Sequence, residues 1–271
     1  MHGLPAEWAE ARLPPARELN RKPNRRQVDC TTVIVSHDAN AYALRLMIRL
    51  VLFDIDGTLV HTGGAGMKAF AKVFATEFRV PNGTEKIKFA GRTDFSLVRE
   101  FFTWNQIEAT AENFSRFFDR YVFWLDHVLG HSRTEECPGI RPFLAELRSL
   151  SQAPLIGLLT GNIRLGAEIK LRHFDLWKEF ETGAFADDHE DRDQIAHAAL
   201  LRGRRVLGEG IRGEEVLVIG DTTLDIRCAR AIGAKVVAVA TGGHQFEQLK
   251  SHAPDWAVRT LAHVSAREIC A

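Results

Sequence analysis

Cysteine is scarce in this chain of 271 residues, and it never occurs in a pattern typical of a disulfide framework or a zinc site. The four cysteines lie far apart, without a C-x-x-C pair or accompanying histidines, at Cys30, Cys137, Cys228 and Cys270. The sequence therefore predicts reduced thiols and a cytoplasmic protein whose fold does not depend on covalent cross-links.

An excess of charge of either sign is also absent, because 35 basic residues balance 35 acidic ones. No basic stripe with interleaved aromatic residues occurs, so neither nucleic acid nor an anionic membrane is indicated as a partner. No apolar run reaches the roughly 20 residues of a membrane span, because Arg45 and Arg49 interrupt the longest candidate. The sequence predicts a soluble protein and gives no indication of its oligomeric state.

Residues 1–46 lack the patterning of the rest of the chain. Four prolines break any long helix, at Pro5, Pro14, Pro15 and Pro23. A continuous apolar region of the kind found in a signal peptide is missing as well. We expect a poorly ordered extension, with the folded domain beginning at Met47, directly before the first predicted strand.

The most informative segment that is present begins with the apolar run 50–53. Its length and composition predict a strand buried on both faces. It is followed at once by Asp54, Asp56, Gly57 and Thr58. Because the carboxyl ends of strands in an open α/β sheet carry the ligand sites, these two carboxylates are candidates for chemistry.

Two later apolar runs end in the same types of residue. The run Leu155–Leu159 is followed by Thr160-Gly161-Asn162, and the run 216–219 is followed by Gly220-Asp221 and, one helical turn later, by Asp225. Hydroxyl, backbone amide and carboxylate groups are those that bind phosphate and magnesium. We predict that the three strand ends meet in one site.

Alternation of strands and helices in the second half predicts a parallel sheet with right-handed crossovers. Helices are expected near residues 143–150, 164–174, 192–202 and 224–232, with further strands at 235–239 and 256–258. Residues 63–137 have helical patterning instead, which is too long for a simple crossover. The predicted fold is a three-layer α/β/α Rossmann-like core, residues 47–62 and 138–271, with an inserted helical cap domain, residues 63–137.

Taken together, the motifs resemble those of the haloacid dehalogenase-like superfamily, in particular its phosphatase branch that includes phosphoglycolate phosphatases. Asp54-Ile55-Asp56-Gly57-Thr58 looks like the first motif of that family and Thr160 like the second. Lys170 matches the third, and the segment from Gly220 to Asp225 the fourth. The resemblance covers the chain from about Met47 onward.

This resemblance implies a phosphatase that acts on a small phosphorylated substrate. Asp54 would be the nucleophile that forms an aspartyl-phosphate, and Asp56 the general acid and then the base. Mg²⁺ would be bound by carboxylates of Asp54 and Asp221 and by the backbone carbonyl of Asp56. Asp225 would support the water shell of the metal or orient Lys170, or act only as a helix N-terminal acid.

Binding of the phosphate and of the rest of the substrate is predicted for four further residues. Thr160, Gly161 and Asn162 would contact the phosphoryl oxygens at the second strand end. Arg92 could reach a carboxylate or hydroxyl of the substrate from the cap, although Thr93 or Asp94 there could equally cap a helix. Arg192 is the rival of Lys170 as the cation that completes the site.

Several other functions remain open at this stage. A sugar phosphomutase of the same superfamily would use the same residues, and a phosphonatase would need a cap lysine, for which Lys68 and Lys72 are available. Haloalkanoate dehalogenation is disfavoured because it has no use for Asp56 or a metal. A non-catalytic binding protein is a further alternative, which the presence of all the acidic positions opposes.

Overall fold

The computed structural model describes residues 47–81, 84 and 87–270. The predicted N-terminal extension, residues 1–46, and Cys30 lie outside the described residues. Within the described part the strands are β1 (Leu50–Phe53), β2 (Val60–His61), β3 (Glu135–Glu136), β4 (Leu155–Leu159), β5 (Thr182–Ala184), β6 (Val216–Gly220), β7 (Lys235–Val239) and β8 (Trp256–Val258).

The helices fall into two groups along the chain. Between β1 and β4 lie α1 (Ala65–Glu77), α2 (Asp94–Trp104), α3 (Ala111–Leu129) and α4 (Ile140–Ser149). After β4 come α5 (Arg164–His173), α6 (Arg192–Leu207), α7 (Thr223–Ala231), α8 (Phe246–Ser251) and α9 (Ala266–Cys270). No helix in the described ranges is both long and apolar enough to cross a membrane.

Six of the described strands form one sheet in the order β5-β4-β1-β6-β7-β8, and every neighbouring pair is parallel. Strand β1 lies between β4 and β6, and its side chains alternate between two separate hydrophobic clusters. Val51 and Phe53 pack in the cluster with α4, α5 and α9, whereas Leu50 and Leu52 pack in the cluster with α6 and α7. Helices therefore cover both faces, and the predicted three-layer α/β fold is confirmed.

Helices α1, α2 and α3 build a third hydrophobic cluster, to which the core contributes Ile163 and Ala186. Phenylalanine rings dominate it, and the rings of Phe74 and Phe101 lie parallel. The helices predicted after β1 thus have an aromatic core of their own. The boundaries of the cap at residues 63 and 137 stay a prediction.

The sequence missed β5 and misplaced several helix ends. Helix α4 begins at Ile140, three residues before the expected start, and α6 continues to Leu207 rather than ending near residue 202. The sequence of β5 is Thr-Gly-Ala, which has no apolar run of its own. It becomes a strand because it pairs with β4 at the edge of the sheet.

Candidate functional site

The three predicted strand ends meet because β1 is central. Phe53, the last residue of β1, is in register with Leu158 of β4 and with Ile219 of β6. The residues that follow these positions therefore emerge at the same edge of the parallel sheet. All three segments contribute to the lining of one pocket of about 460 Å³.

A cluster of buried carboxylates lies at this edge. Asp54, Asp221 and Asp225 place one carboxylate oxygen each within 4.8 Å of one another. The three residues are 5%, 2% and 0% exposed. Burial, followed by repulsion from neighbouring acids, raises the pKa of Asp54 to about 7 and that of Asp221 well above its ordinary value. Such a set of oxygen donors fits a hard divalent cation, because uncompensated buried charge is costly.

Short polar contacts hold Asp221 in this cluster from two loops. The Thr58 hydroxyl donates to Asp221 Oδ1 at 3.4 Å, and the Gly243 amide donates to Oδ2. Gly57 has a φ of 81°, and a Cβ there would lie 2.7 Å from both Asp221 Oδ2 and the Cα of Gly242. Glycine is needed at this turn because a side chain at position 57 would collide with Asp221, the candidate metal ligand.

Sequence reasoning did not single out the loop after β7, although it contributes to the site. The Thr241 hydroxyl donates to the Gly57 carbonyl at 2.6 Å, and Gly242 and Gly243 line the pocket. The available signal was a fourth strand end rich in glycine and threonine. It was missed because the loop has no acidic residue.

Arg192 neutralises part of the acidic cluster. Its guanidinium donates to Asp225 Oδ1 and lies 3.6 Å from Asp54 Oδ1, while the side chain is 4% exposed. Its Nε is the one buried side-chain polar atom in the described structure without a hydrogen-bond partner. Asp225 also accepts from the amide and the hydroxyl of Thr222, at 2.9 Å and 2.6 Å.

Lys170 contacts a different carboxylate. Its Nζ donates to Asp56 Oδ2 and to Asn162 Oδ1, both at 2.6 Å, and the residue is 3% exposed. Asp225 is bound by Arg192 and Thr222, so the expectation that it orients Lys170 is wrong. Lys170 and Arg192, the two candidates for the cation that completes the site, both lie in it. Each is paired with a different carboxylate.

Asn162 links the second strand end to the first. Its Nδ2 donates to Asp56 Oδ2 at 2.9 Å and to Thr160 Oγ1 at 2.8 Å. A hydrogen bond from Thr160 opposes the rise in the pKa of Asp54 that burial causes. Thr160 and Asn162 thus connect the proposed nucleophile with the proposed general acid.

Glycine at position 161 allows a close approach to the loop before α2. A Cβ there would lie 2.3 Å from the carbonyl oxygen of Arg92. The Gly161 carbonyl also accepts from the Asp94 amide at 2.7 Å, and the Ile163 amide donates to Asp94 Oδ2 at 2.8 Å. Contact between the Gly161 amide and a phosphate stays a prediction.

Arg92 lines the pocket, but its guanidinium is already engaged. It pairs with Glu100 and donates to the Ser96 carbonyl at 3.2 Å. Thr93 is the N-cap of α2 and accepts from the Ser96 amide at 3.3 Å, as the capping alternative predicts. Contact between Arg92 and a substrate stays a prediction.

Neither cap lysine considered for phosphonatase chemistry lines the pocket in the described structure. Lys68 Nζ donates to the Gly63 carbonyl at 2.8 Å, and Lys72 Nζ lies 4.6 Å from the centre of the Trp124 ring.

The cysteines among the described residues, Cys137, Cys228 and Cys270, are buried and free, as expected.

Comparison with known proteins agrees with this geometry. A phosphoglycolate phosphatase from Photorhabdus laumondii is 27% identical over 217 residues, covering 77% of this chain and 87% of that protein. A protein named as a candidate pyrophosphatase, PpaX, from Caldanaerobacter subterraneus is 26% identical over 222 residues, covering 80% of this chain and 92% of that protein.

Solved structures show the same fold. The crystal structure of a hydrolase from Pseudomonas syringae has a TM-score of 0.62 at 19% identity, covering 80% of this chain and 99% of that one. The model of the haloacid dehalogenase-like hydrolase family matches residues 51–239, which contain the first and the fourth motif. The chain therefore belongs to the haloacid dehalogenase-like hydrolase family.

Proposed function

We propose that the chain is a magnesium-dependent phosphatase that hydrolyses a small phosphate monoester through an aspartyl-phosphate on Asp54. The observation that carries this proposal is the buried cluster of Asp54, Asp221 and Asp225, which lies beside a pocket large enough for a small metabolite. Membership of a hydrolase family and relatives named as phosphatases support it.

Asp54 and Asp221 would hold Mg²⁺ with carboxylate oxygens and Asp56 with its backbone carbonyl, while Asp225 would support the water shell of the ion. When bound, the ion supplies positive charge that offsets the repulsion between the phosphoryl oxygens and these carboxylates. Arg192 contributes to the same balance, since its guanidinium lies against Asp225 and near Asp54.

Asp54 carries out the covalent chemistry in this proposal. A carboxylate oxygen of Asp54 forms a bond to phosphorus while the bond from phosphorus to the alcohol oxygen breaks. Asp56 gives its proton to that oxygen, and the alcohol leaves. Asp56 then accepts a proton from water, which attacks the aspartyl-phosphate, releases phosphate and restores the Asp54 carboxylate.

Lys170 and Asn162 determine how Asp56 can act. Both donate to Oδ2, and no described residue donates to Oδ1. We assign Oδ1 as the oxygen that exchanges the proton with the alcohol and the water. The Asp56 side chain is 43% exposed, so this oxygen is within reach of the pocket.

The phosphoryl oxygens would be bound at the end of β4. The Thr160 hydroxyl and the Gly161 amide are the proposed donors, and Asn162 keeps Thr160 in place through the contact of 2.8 Å. Arg92 could reach the rest of the substrate only if its pair with Glu100 opens.

Residues 63–137 would act as a cap that closes over this site, and residues 47–62 and 138–271 as the catalytic core. Gly63 and Gly64 have φ values of 59° and 75° directly before α1, a conformation that glycine adopts without strain. The free buried cysteines are in keeping with a reducing compartment such as the cytoplasm.

The test is a panel of phosphate esters assayed with Mg²⁺ or with EDTA, on the wild type and on Asp54→Asn. Phosphoglycolate and pyrophosphate belong in the panel because relatives bear their names. We expect EDTA to abolish turnover and Asp54→Asn to lower kcat at least about 1,000-fold. Asp126→Asn, an exposed position on α3, is the control.

Turnover that does not need a metal, or full activity of Asp54→Asn, would contradict the proposed mechanism. Transfer of the phosphoryl group to a sugar phosphate in place of water would contradict the assignment as a hydrolase and favour the phosphomutase alternative.

A further inference from the structure

Apolar side chains from three helices and one loop form one wall of the pocket. They come from α1, α2, α3 and the loop before α2, namely Met67, Phe70, Phe89, Leu97 and Tyr121. The rings support one another edge to face, with the Phe70 centroid 4.8 Å from that of Tyr121 and 5.4 Å from that of Phe89. A leaving alcohol bound here exchanges water for a preformed hydrocarbon surface.

The arginine and lysine side chains that line the pocket all have partners. Arg92 lies against Glu100, Lys170 against Asp56, and Arg192 against Asp225. No unpaired lysine or arginine thus faces the pocket from the described residues. A second negative charge on the substrate would have to break one of these pairs or stay unpaired, and an unpaired buried charge is costly.

Two further ionisable side chains belong to the wall. Asp94 is 7% exposed and its Oδ2 accepts from the Ile163 amide, and a carboxyl group offers no positive charge to a substrate in either protonation state. His61, on β2, is half-buried and is the one histidine among the lining residues. The wall therefore favours an uncharged group over a carboxylate.

Tyr121 places a single hydrogen-bond donor in this apolar wall. The residue is 1% exposed, and burial raises the pKa of its hydroxyl well above the ordinary value, so the hydroxyl stays protonated. No described residue forms a hydrogen bond with it. A Cβ on Gly66 would lie 3.6 Å from both Tyr121 Oη and Lys170 Nζ, which places this hydroxyl near the ammonium group of Lys170.

We infer, on the basis of the proposed phosphatase activity, that the substrate is a phosphate monoester whose leaving alcohol is uncharged and offers an oxygen to the Tyr121 hydroxyl. An apolar stem would lie against Phe70 and Phe89. A leaving group that carries a carboxylate, as in phosphoglycolate, is selected against because Asp94 offers it no positive charge and Arg92 is paired with Glu100.

The test compares three small esters of similar size at saturating Mg²⁺: phosphoglycolate, 2-hydroxyethyl phosphate and ethyl phosphate. We expect the wild type to favour 2-hydroxyethyl phosphate over phosphoglycolate by roughly tenfold or more in kcat/KM, since an unpaired carboxylate must be desolvated. 2-Hydroxyethyl phosphate should also exceed ethyl phosphate, because the ethyl group has no oxygen to accept from Tyr121.

Two variants test separately how the pairing of Arg92 and the hydroxyl of Tyr121 affect substrate preference. Glu100→Gln leaves Arg92 without its charged partner, and Glu100 is not a lining residue, so kcat/KM for phosphoglycolate should rise about tenfold while that for ethyl phosphate stays unchanged. Tyr121→Phe keeps the ring and removes the donor. It should lower kcat/KM for 2-hydroxyethyl phosphate more than that for ethyl phosphate, so that the ratio of the two values falls toward one.

A wild-type preference for phosphoglycolate would overturn the inference, as would an unchanged substrate ratio in Glu100→Gln. Equal losses on both neutral esters in Tyr121→Phe would refute the role of its hydroxyl. If the wild type hydrolyses none of these esters, nor p-nitrophenyl phosphate, the proposed phosphatase function itself fails, which is a distinct result.

Discussion

Lys170 and Arg192 occupy one site and serve different carboxylates. Arg192 lies against Asp225 and 3.6 Å from the proposed nucleophile, so it can offset charge there. Lys170 lies 2.6 Å from Asp56, the proposed proton donor, and is also bound by Asn162. This arrangement makes Lys170 a positioning residue for the proton transfer, with Arg192 responsible for the balance of charge.

Substitution of Lys170 should therefore depend on the leaving group. In Lys170→Met we expect kcat for ethyl phosphate to fall about 100-fold or more, because an alkoxide needs a positioned proton donor. The loss for p-nitrophenyl phosphate should be much smaller, since its phenolate leaves without protonation. Steady-state kinetics on the two esters checks this.

Arg192→Gln is the matched comparison for Lys170→Met. Removal of a cation beside Asp54 should affect both esters to a similar extent, because formation of the bond to phosphorus is common to them. Equal losses on the two esters in Lys170→Met would show that Lys170 does not act through Asp56.

At the scale of elements, the site depends on the contact between the end of β4 and the start of α2. The Asp94 amide donates to the Gly161 carbonyl at 2.7 Å, and the Thr93 hydroxyl donates to the Glu190 carbonyl at 2.7 Å. The first bond ties the start of α2 to the loop that carries Thr160, and the second ties it to the loop between β5 and α6. The proposed phosphate donors and the wall of the pocket are thus positioned together.

Gly161→Ala should disturb this junction. The added Cβ would lie 2.3 Å from the Arg92 carbonyl oxygen. This backbone atom cannot move aside as the end of a flexible side chain can. We expect a loss of roughly 1–3 kcal/mol in the free energy of unfolding, with a lower kcat. Gly210→Ala, where nothing lies within 4 Å of the added Cβ, is the control for chemical denaturation. Equal stability of the two variants would contradict the close contact between Gly161 and the Arg92 carbonyl.

The sequence predicted the strand ends because each combines a strong apolar run with polar residues directly after it. Strand β5 was not predictable in that way, as its three residues become a strand only beside β4. Nor were the partners of the two cations, since Lys170 and Asp56 are 114 positions apart and Arg192 and Asp225 are 33 apart. Such pairs follow from how the helices pack on the sheet, which local patterns do not encode.

At the scale of the whole molecule, the buried acids make stability depend on pH when no metal is bound. Burial raises the pKa of Asp54 and of Asp94 to about 7, from 3.8. A carboxyl with a higher pKa in the folded state binds its proton more tightly there, so it stabilises the fold at acidic pH. That contribution is lost as the pH rises from about 4 to about 7.

In EDTA we therefore expect the Tm of the wild type to fall relative to that of Asp54→Asn as the pH rises across this range, because the amide does not titrate. Differential scanning calorimetry of the two proteins measures this difference. A wild-type Tm that rises relative to that of Asp54→Asn would contradict the assigned direction of the pKa shift of Asp54.

Mg²⁺ should restore stability where the acids are ionised. At about pH 8 and a concentration 100 times its dissociation constant, the ion should add about 2.7 kcal/mol to the free energy of unfolding. Asp221→Asn should still fold in EDTA, but Mg²⁺ should not stabilise it. An equal response to Mg²⁺ in Asp221→Asn would exclude the acidic cluster as the metal site.

The most direct test of the account is to identify the covalent intermediate. In Asp56→Asn the aspartyl-phosphate should still form from p-nitrophenyl phosphate, whose leaving group needs no proton, but its hydrolysis should be slow because the base is missing. Acid quenching followed by peptide mass spectrometry should then find one phosphoryl group on Asp54. A phosphoryl group on another residue, or turnover of Asp56→Asn with no modified peptide at any quench time, would contradict the account.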